Sequence, residues 1–328
     1  MKILFALLLT ALEVFNLASA SAADFKVLVV MGYEEKNPWV REIREGIDSV
    51  LRASSAITYF HLNAQAERES GAKQAAEAFS LYQRLAPDGV IAADDAAQIL
   101  FVVPYLKNKV STPVIFTAIN AGPEEYGFPT PHISGVLERT HVRETLAFAK
   151  QLVPSIKSVC FVTNNVPPGI ALRAQVDLEK SSYPTTVGGF YLINSVAELE
   201  MQGKVLRANC DAVQIASLAG ILDRDAKPLT LGGAIKMLAG VFGGPILGSN
   251  RAQVEQGAWA AVIKTGQEQG ETSAQMLLDA MRGTPMAKIP VTQNMRGERV
   301  INVSAIESNK IMLRPLVIRG ATLIRQQP

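Results

Sequence analysis

Two adjacent carboxylates, Asp94-Asp95, are the most suggestive chemical feature of this sequence. They end a short apolar run and precede a helical pattern, so two jobs are open to them. A carboxylate can pair with an ammonium group on a bound molecule, or it can accept the free N–H groups of a helix start. Both readings hold if each Asp takes one role. Tyr33 and Trp39 offer aromatic faces on which a ring can stack, although packing under a loop serves Trp39 equally well. Asn120, Asn164, Asn165, Ser217 and Asn250 add neutral hydrogen-bonding groups in loop-like segments, as do the Asn37 and Ile119 positions. For Asn164 and Asn165 turn formation is the plainer alternative.

Catalytic constellations are hard to find. His61, His132 and His141 are scattered without metal-ligand spacing. No G-x-S-x-G elbow, phosphate-cradling P-loop or G-x-G-x-x-G occurs. Gly232-Gly233 and Gly243-Gly244 read as turn or packing glycines. Cys160 and Cys210 adjoin strand-like runs, where a buried free thiol is the plain reading; a disulfide is permitted but does not follow from spacing. These features predict a binder rather than an enzyme, with no metal and no cofactor.

The groups that could bind must be held by regular elements. From Phe25 onward, short β-branched runs alternate with longer amphipathic ones. Strands are predicted at 26–31, 57–62, 89–93 and 113–118, then again at 158–163, 187–192, 212–217 and 245–248. Asn37-Pro38 opens a helix whose apolar face is Val40, Ile43, Ile47, Val50 and Leu51. A second helix carries Ala75, Phe79, Tyr82 and Leu85, and a third spans 96–109. Later segments give strands at 259–264, 289–292 and 299–303, around a helix at 267–282 with Ala274, Leu277, Leu278 and Met281 inward. The alternation predicts an α/β protein of two Rossmann-like, doubly wound parallel-sheet lobes. Ligands of such sheets bind at the carboxyl ends of the strands. That rule selects 32–39, 94–95 and 119–120 in one lobe, and 163–166, 217–218 and 249–251 in the other.

With 328 residues, two domains are the default expectation. Lysine and arginine total 32 against 30 acidic residues, a net charge of +2, which leaves no footprint for nucleic acid. Lys2, the apolar run 3–12 and the small-residue stretch 18–23 have the layout of a cleavable signal peptide, with cleavage after Ala20 or Ala23. The run is shorter than a membrane span requires. An exported protein is expected.

Several stretches also carry a resemblance. Residues 37–50, PDGVIAADDAAQ, PVIFTAINAGPEEYGF followed by SGVLER, and ETLAFAKQLVPSIKSVCFVTNN occur in order with GAWAAVIKTGQEQGETSAQMLLDAMRGTPMAKIPV and VINVSAIE. From Phe25 to Glu307 the chain resembles the ABC-transporter substrate-binding proteins that include tryptophan- and tyrosine-binding members. The resemblance implies a type I periplasmic-binding-protein fold with three crossovers, near Gly135-Val136, 262–265 and 291–294. Residues 1–23 would be the signal peptide, 24–136 plus 264–292 one lobe, and 137–263 plus 293–328 the other. It further implies a periplasmic monomer that closes on a small molecule and delivers it to an inner-membrane ABC permease. A sensor presenting its closed form to a signalling partner is the alternative. The chain departs from the family's usual turns at three pocket positions. Asp94-Asp95 stands for a Thr-containing turn, Ile119-Asn120-Ala121 for an Asp-Pro pair, and Ser249-Asn250 for an acidic turn. An aromatic amino acid is therefore not carried over as the ligand, and residues beyond Glu307 fall outside the resemblance.

Overall fold

Residues 24–64, 68–218 and 220–325 are described by the computed structural model, so the expected signal peptide lies outside the described residues. β1 (Phe25–Met31) is apolar almost throughout because it is covered on both sides. Leu28 and Val30 enter one core, while Val27, Val29 and Met31 enter another on the opposite face. α1 (Pro38–Leu51) covers the second of these cores with Val40, Ile43, Ile47 and Leu51. Then come β2 (Ser55–His61), α2 (Arg68–Leu85), β3 (Gly89–Ala93), α3 (Asp94–Ala97), β4 (Val114–Ile119) and β5 (Ile133–Leu137). The third helix differs from expectation. α3 begins at Asp94 and widens into a π-helix over Gln98–Leu106, which contains Pro104, a residue with no N–H to give to a regular α-helical ladder.

The second lobe repeats the plan. α4 (Val142–Leu152) leads into β6 (Ser158–Thr163), α5 (Pro167–Glu179), β7 (Thr186–Leu192), α6 (Val196–Asn209) and β8 (Ala212–Ile215). α7 (Leu231–Phe242), β9 (Ile246–Leu247), α8 (Arg251–Glu255) and β10 (Ala260–Ile263) follow. Cys160 on β6 and Cys210 at the end of α6 are joined in a disulfide, with Cα atoms 5.7 Å apart, a normal separation for such a link. This overturns the reading of two buried free thiols: strand and helix end lie side by side, a proximity that spacing in sequence does not reveal.

The chain then returns to the first lobe. α9 (Gly266–Met281) packs on α1 and adds Ala274, Leu277 and Leu278 to the core beneath it. The two helices touch backbone to backbone: a Cβ on Gly46 would strike the Gln267 carbonyl, and one on Gly270 the Ile43 carbonyl. β11 (Thr292–Gln293) is followed by β12 (Glu298–Asn302), α10 (Val303–Ser308), α11 (Pro315–Ile318) and β13 (Thr322–Ile324). The first sheet runs β11-β5-β4-β3-β1-β2 and is parallel throughout. The second runs β13-β12-β10-β9-β8-β6-β7, with the β10–β12 pair antiparallel. The segment beyond Glu307 thus supplies an edge strand of the second sheet.

The sheets are connected at 138–141, 264–265 and 294–297. Gly135 and Val136, where the first crossing was expected, lie inside β5 instead. That strand is only five residues long and contains a glycine, a weak strand signal. Leu137 and Gln293, allotted to the second lobe from sequence, pair with each other in the first sheet.

Candidate functional site

The carboxyl ends of β1, β3, β4 and β5 form the rim of the first lobe. Asn37 Oδ1 accepts the Trp39 N–H at 2.9 Å, so this amide caps α1. Trp39 and Tyr33 both pack partly against the core under α1 and α9. Burial and the nearby carboxylates of Asp94, Asp95 and Glu138 push the Tyr33 phenol up to about 12. The Asp94-Asp95 pair divides its labour. Asp95 accepts from the backbone N–H of Asn120 (3.1 Å) and Ala121 (3.3 Å) and from the Tyr126 hydroxyl (2.7 Å), fixing the loop after β4. Neither Asp acts as the cap residue proper, a position held by Ala93.

Asp94 is the anomaly of this rim. It is 2% exposed, its φ of 73° lies in the left-handed region, and its Oδ2 is buried without a hydrogen-bond partner among the described residues. Burial, then Glu138 and Asp95, hold its carboxyl well above the usual carboxylate range, opposed by a hydrogen bond from the Gly32 backbone. Gly32 leaves room beside it: a Cβ there would sit 3.0 Å from Asp94 Cβ. Ile119 points into the core, so only its backbone serves the rim, accepting from Glu138 N–H at 2.8 Å and from Arg139 Nη1 at 3.2 Å. Asn120 is exposed, and its carbonyl also accepts from Arg139 Nη1.

The rim of the second lobe is neutral. Asn164, buried at the end of β6, donates its N–H to the Ser217 carbonyl at 3.0 Å. Thr163 Oγ1 donates to the same carbonyl at 3.1 Å and accepts the Ser217 N–H at 3.2 Å. Asn165 is exposed and donates its N–H to Asn194 Oδ1. Asn250 caps α8, accepting from Gln253 N–H at 3.0 Å. Ser249 Oγ donates to the Ile215 carbonyl at 2.7 Å, tying the ends of β8 and β9 together.

Between the rims lies a set of residues that sequence reasoning missed. Glu138, immediately after β5, forms an ion pair with Lys264, immediately after β10. The carboxyl ends of the two sheets are thereby brought face to face. Asn294 Oδ1 accepts the Arg139 N–H at 2.7 Å and its Nδ2 donates to the Arg139 carbonyl at 2.9 Å, clasping the first connection to the third. The same Nδ2 lies 2.9 Å from His141 Nε2, which must therefore be the acceptor and carry its proton on Nδ1. That proton faces Glu144, 3.4 Å away. The hydrogen bond from His141 is the largest of the effects holding the Glu144 carboxyl down near 2. Glu268, at the start of α9, accepts the Met295 and Arg296 N–H groups at 2.6 Å each. A cavity of about 300 Å³ opens beside this clasp, lined by Arg139, His141, Gln175, Glu179 and Asn294 among others. The only sequence signal for these residues is the charged Glu138-Arg139 pair ending SGVLER; the rest requires three distant segments to meet.

Comparison with known proteins extends the geometry. A family model described as ABC transporter substrate binding protein matches residues 40–323. The fold resembles an ABC domain in complex with L-Trp from Streptococcus pneumoniae (19% identity, 91% of this chain and 99% of that one, TM-score 0.54). It also resembles a ligand-free, open substrate binding protein with adhesive properties from Clostridium difficile (13%, 92% and 100%, TM-score 0.66). A periplasmic ribose ABC transporter structure from Conexibacter woesei is a third neighbour (14%, 89% and 96%, TM-score 0.50). No curated protein sequence matches the chain. The two sheets and their three connections are those of the type I periplasmic binding proteins.

Proposed function

Because the chain belongs to the ABC transporter substrate-binding protein family, we propose that it is a periplasmic receptor that captures a small polar solute between its lobes and hands it to an inner-membrane permease. The Glu138–Lys264 ion pair carries this reading, since it joins the carboxyl end of β5 in one sheet to that of β10 in the other. Residues 24–137 with 264–293 and residues 138–263 with 294–328 then act as two jaws, the first extended beyond its expected bounds by Leu137 and Gln293, which pair in its sheet. The three connections act as the hinge, and ligand contacts to both jaws favour the closed form. The solute leaves chemically unchanged. The family supports this, and Asn37, Asp95 and Asn250 are engaged in capping and loop fixation. Among the described residues no helix is long and apolar enough to cross a membrane.

The test is mass spectrometry of small molecules carried through purification, followed by thermal melting with each identified compound. A true ligand raises Tm in a concentration-dependent way. If neither carried compounds nor a broad metabolite panel shifts Tm, the receptor reading fails.

A further inference from the structure

We propose that Asp94 is the anchor for a cationic group, an ammonium or guanidinium, on the solute that this protein binds. The inference rests on the receptor reading and names the class of its ligand. Its first support is the unequal engagement of the acids on the first lobe's rim. Asp95 is committed to two backbone N–H groups and a tyrosine hydroxyl, and Glu138 to Lys264. Among the described residues no cation pairs with Asp94, and its Oδ2 is buried with no hydrogen-bond partner. A buried carboxylate oxygen left in that state is costly, and its cost is relieved by a positive charge.

The second support is conformational. Asp94 stands at φ 73°, a left-handed conformation that Asp and Asn adopt more readily than most residues, and this fixes the direction in which its side chain leaves the end of β3. Here it holds Asp94 against Gly32, where an added Cβ would sit 3.0 Å from Asp94 Cβ. The third is electrostatic: the ionisable groups acting on Asp94 are Glu138 and Asp95, and both are acidic. Tyr33 shares the same three carboxylates as neighbours, and its half-buried ring offers a π face to an incoming cation. Asp94 holds its proton more tightly than an ordinary carboxyl does. A bound cation displaces that proton, so binding and deprotonation are linked.

Calorimetric titration of the purified protein separates the possibilities. The probes are the twenty L-amino acids, putrescine, agmatine and choline, with amine-free 2-oxo acids and ribose as the contrasting set, each tested from pH 6 to pH 9. The expected binders carry a cation, release a proton on binding (read from the dependence of heat on buffer ionisation), and bind more tightly as pH rises. Asp94→Asn, which tolerates the left-handed backbone, should retain its melting transition yet bind them about 30-fold or more weakly. Binding confined to amine-free probes, or a cationic probe whose affinity is unchanged in Asp94→Asn, overturns the assignment while leaving the receptor reading intact. Failure of every probe and of every carried-over compound to bind removes the receptor reading and this inference together.

Discussion

The two jaws are built on one plan and differ in what their rims hold. On the first, three carboxylates and a tyrosine gather at the strand ends, and one oxygen of Asp94 is buried with no hydrogen-bond partner among the described residues. On the second, Asn164, Asn165, Ser217 and Asn250 supply neutral amides and hydroxyls, largely engaged in holding their own loops. Arg251, beside Asn250, is paired with Glu298 at 2.6 Å. Charge is therefore concentrated on one jaw. A doubly wound sheet fixes where its strand ends lie but not what chemistry stands on them, so the two halves can diverge without disturbing either core.

Covalent reinforcement differs as well, and removing it has the largest effect expected. The Cys160–Cys210 link closes a 50-residue loop in the second lobe. Replacing both with serine should destabilise that lobe by about 4 kcal/mol. Denaturant unfolding followed by tryptophan fluorescence (Trp39 in the first lobe, Trp259 in the second) tests whether the loss is confined there. The corresponding weak point of the first lobe is the α1–α9 contact. Gly46→Ala places a methyl on the Gln267 carbonyl and should cost about 3 kcal/mol in chemical denaturation, with the second lobe unaffected.

Smaller effects sharpen the contrast between rims. Asp94 has a native pKa above its unfolded one, so the folded protein binds its proton more tightly. Its contribution to stability is fully present below the unfolded value and is lost as pH rises toward the elevated native value. Asp94→Asn should therefore raise Tm at pH 8, with the gain vanishing toward pH 4. Melting curves of both proteins across that range would show it, and a constant difference would contradict it. Asn250→Ala on the neutral rim should cost about 1 kcal/mol through the lost α8 cap, equally at every pH.

Much of the fold was legible because apolar runs and caps are local signals. β3 and β6 have the ends expected of them, and Asn37-Pro38 opens α1 as the pattern requires. β5 escaped notice because a short strand containing Gly135 carries little periodicity. The candidate site was legible only as a set of loops. Asp94, Asp95 and Tyr33 do gather on one rim, whereas Ile119 turns into the core, and Asn37 and Asn250 use their amides as helix caps. Apart from the charged Glu138-Arg139 pair, the residues His141, Lys264, Glu268 and Asn294 carried no local pattern, since they meet only when the chain has crossed between sheets three times.

The sequence by itself determined the alternation of strands and helices, the doubling of the plan and the polar character of the strand-end loops. These depend on burial periodicity and capping, which act over a few residues. The tertiary structure alone decided that Cys160 meets Cys210, that Asp95 is fully engaged while Asp94 Oδ2 has no hydrogen-bond partner among the described residues, and that Asn294 clasps Arg139. Each of these depends on which distant backbone reaches a given side chain first, and only packing of the whole chain sets that.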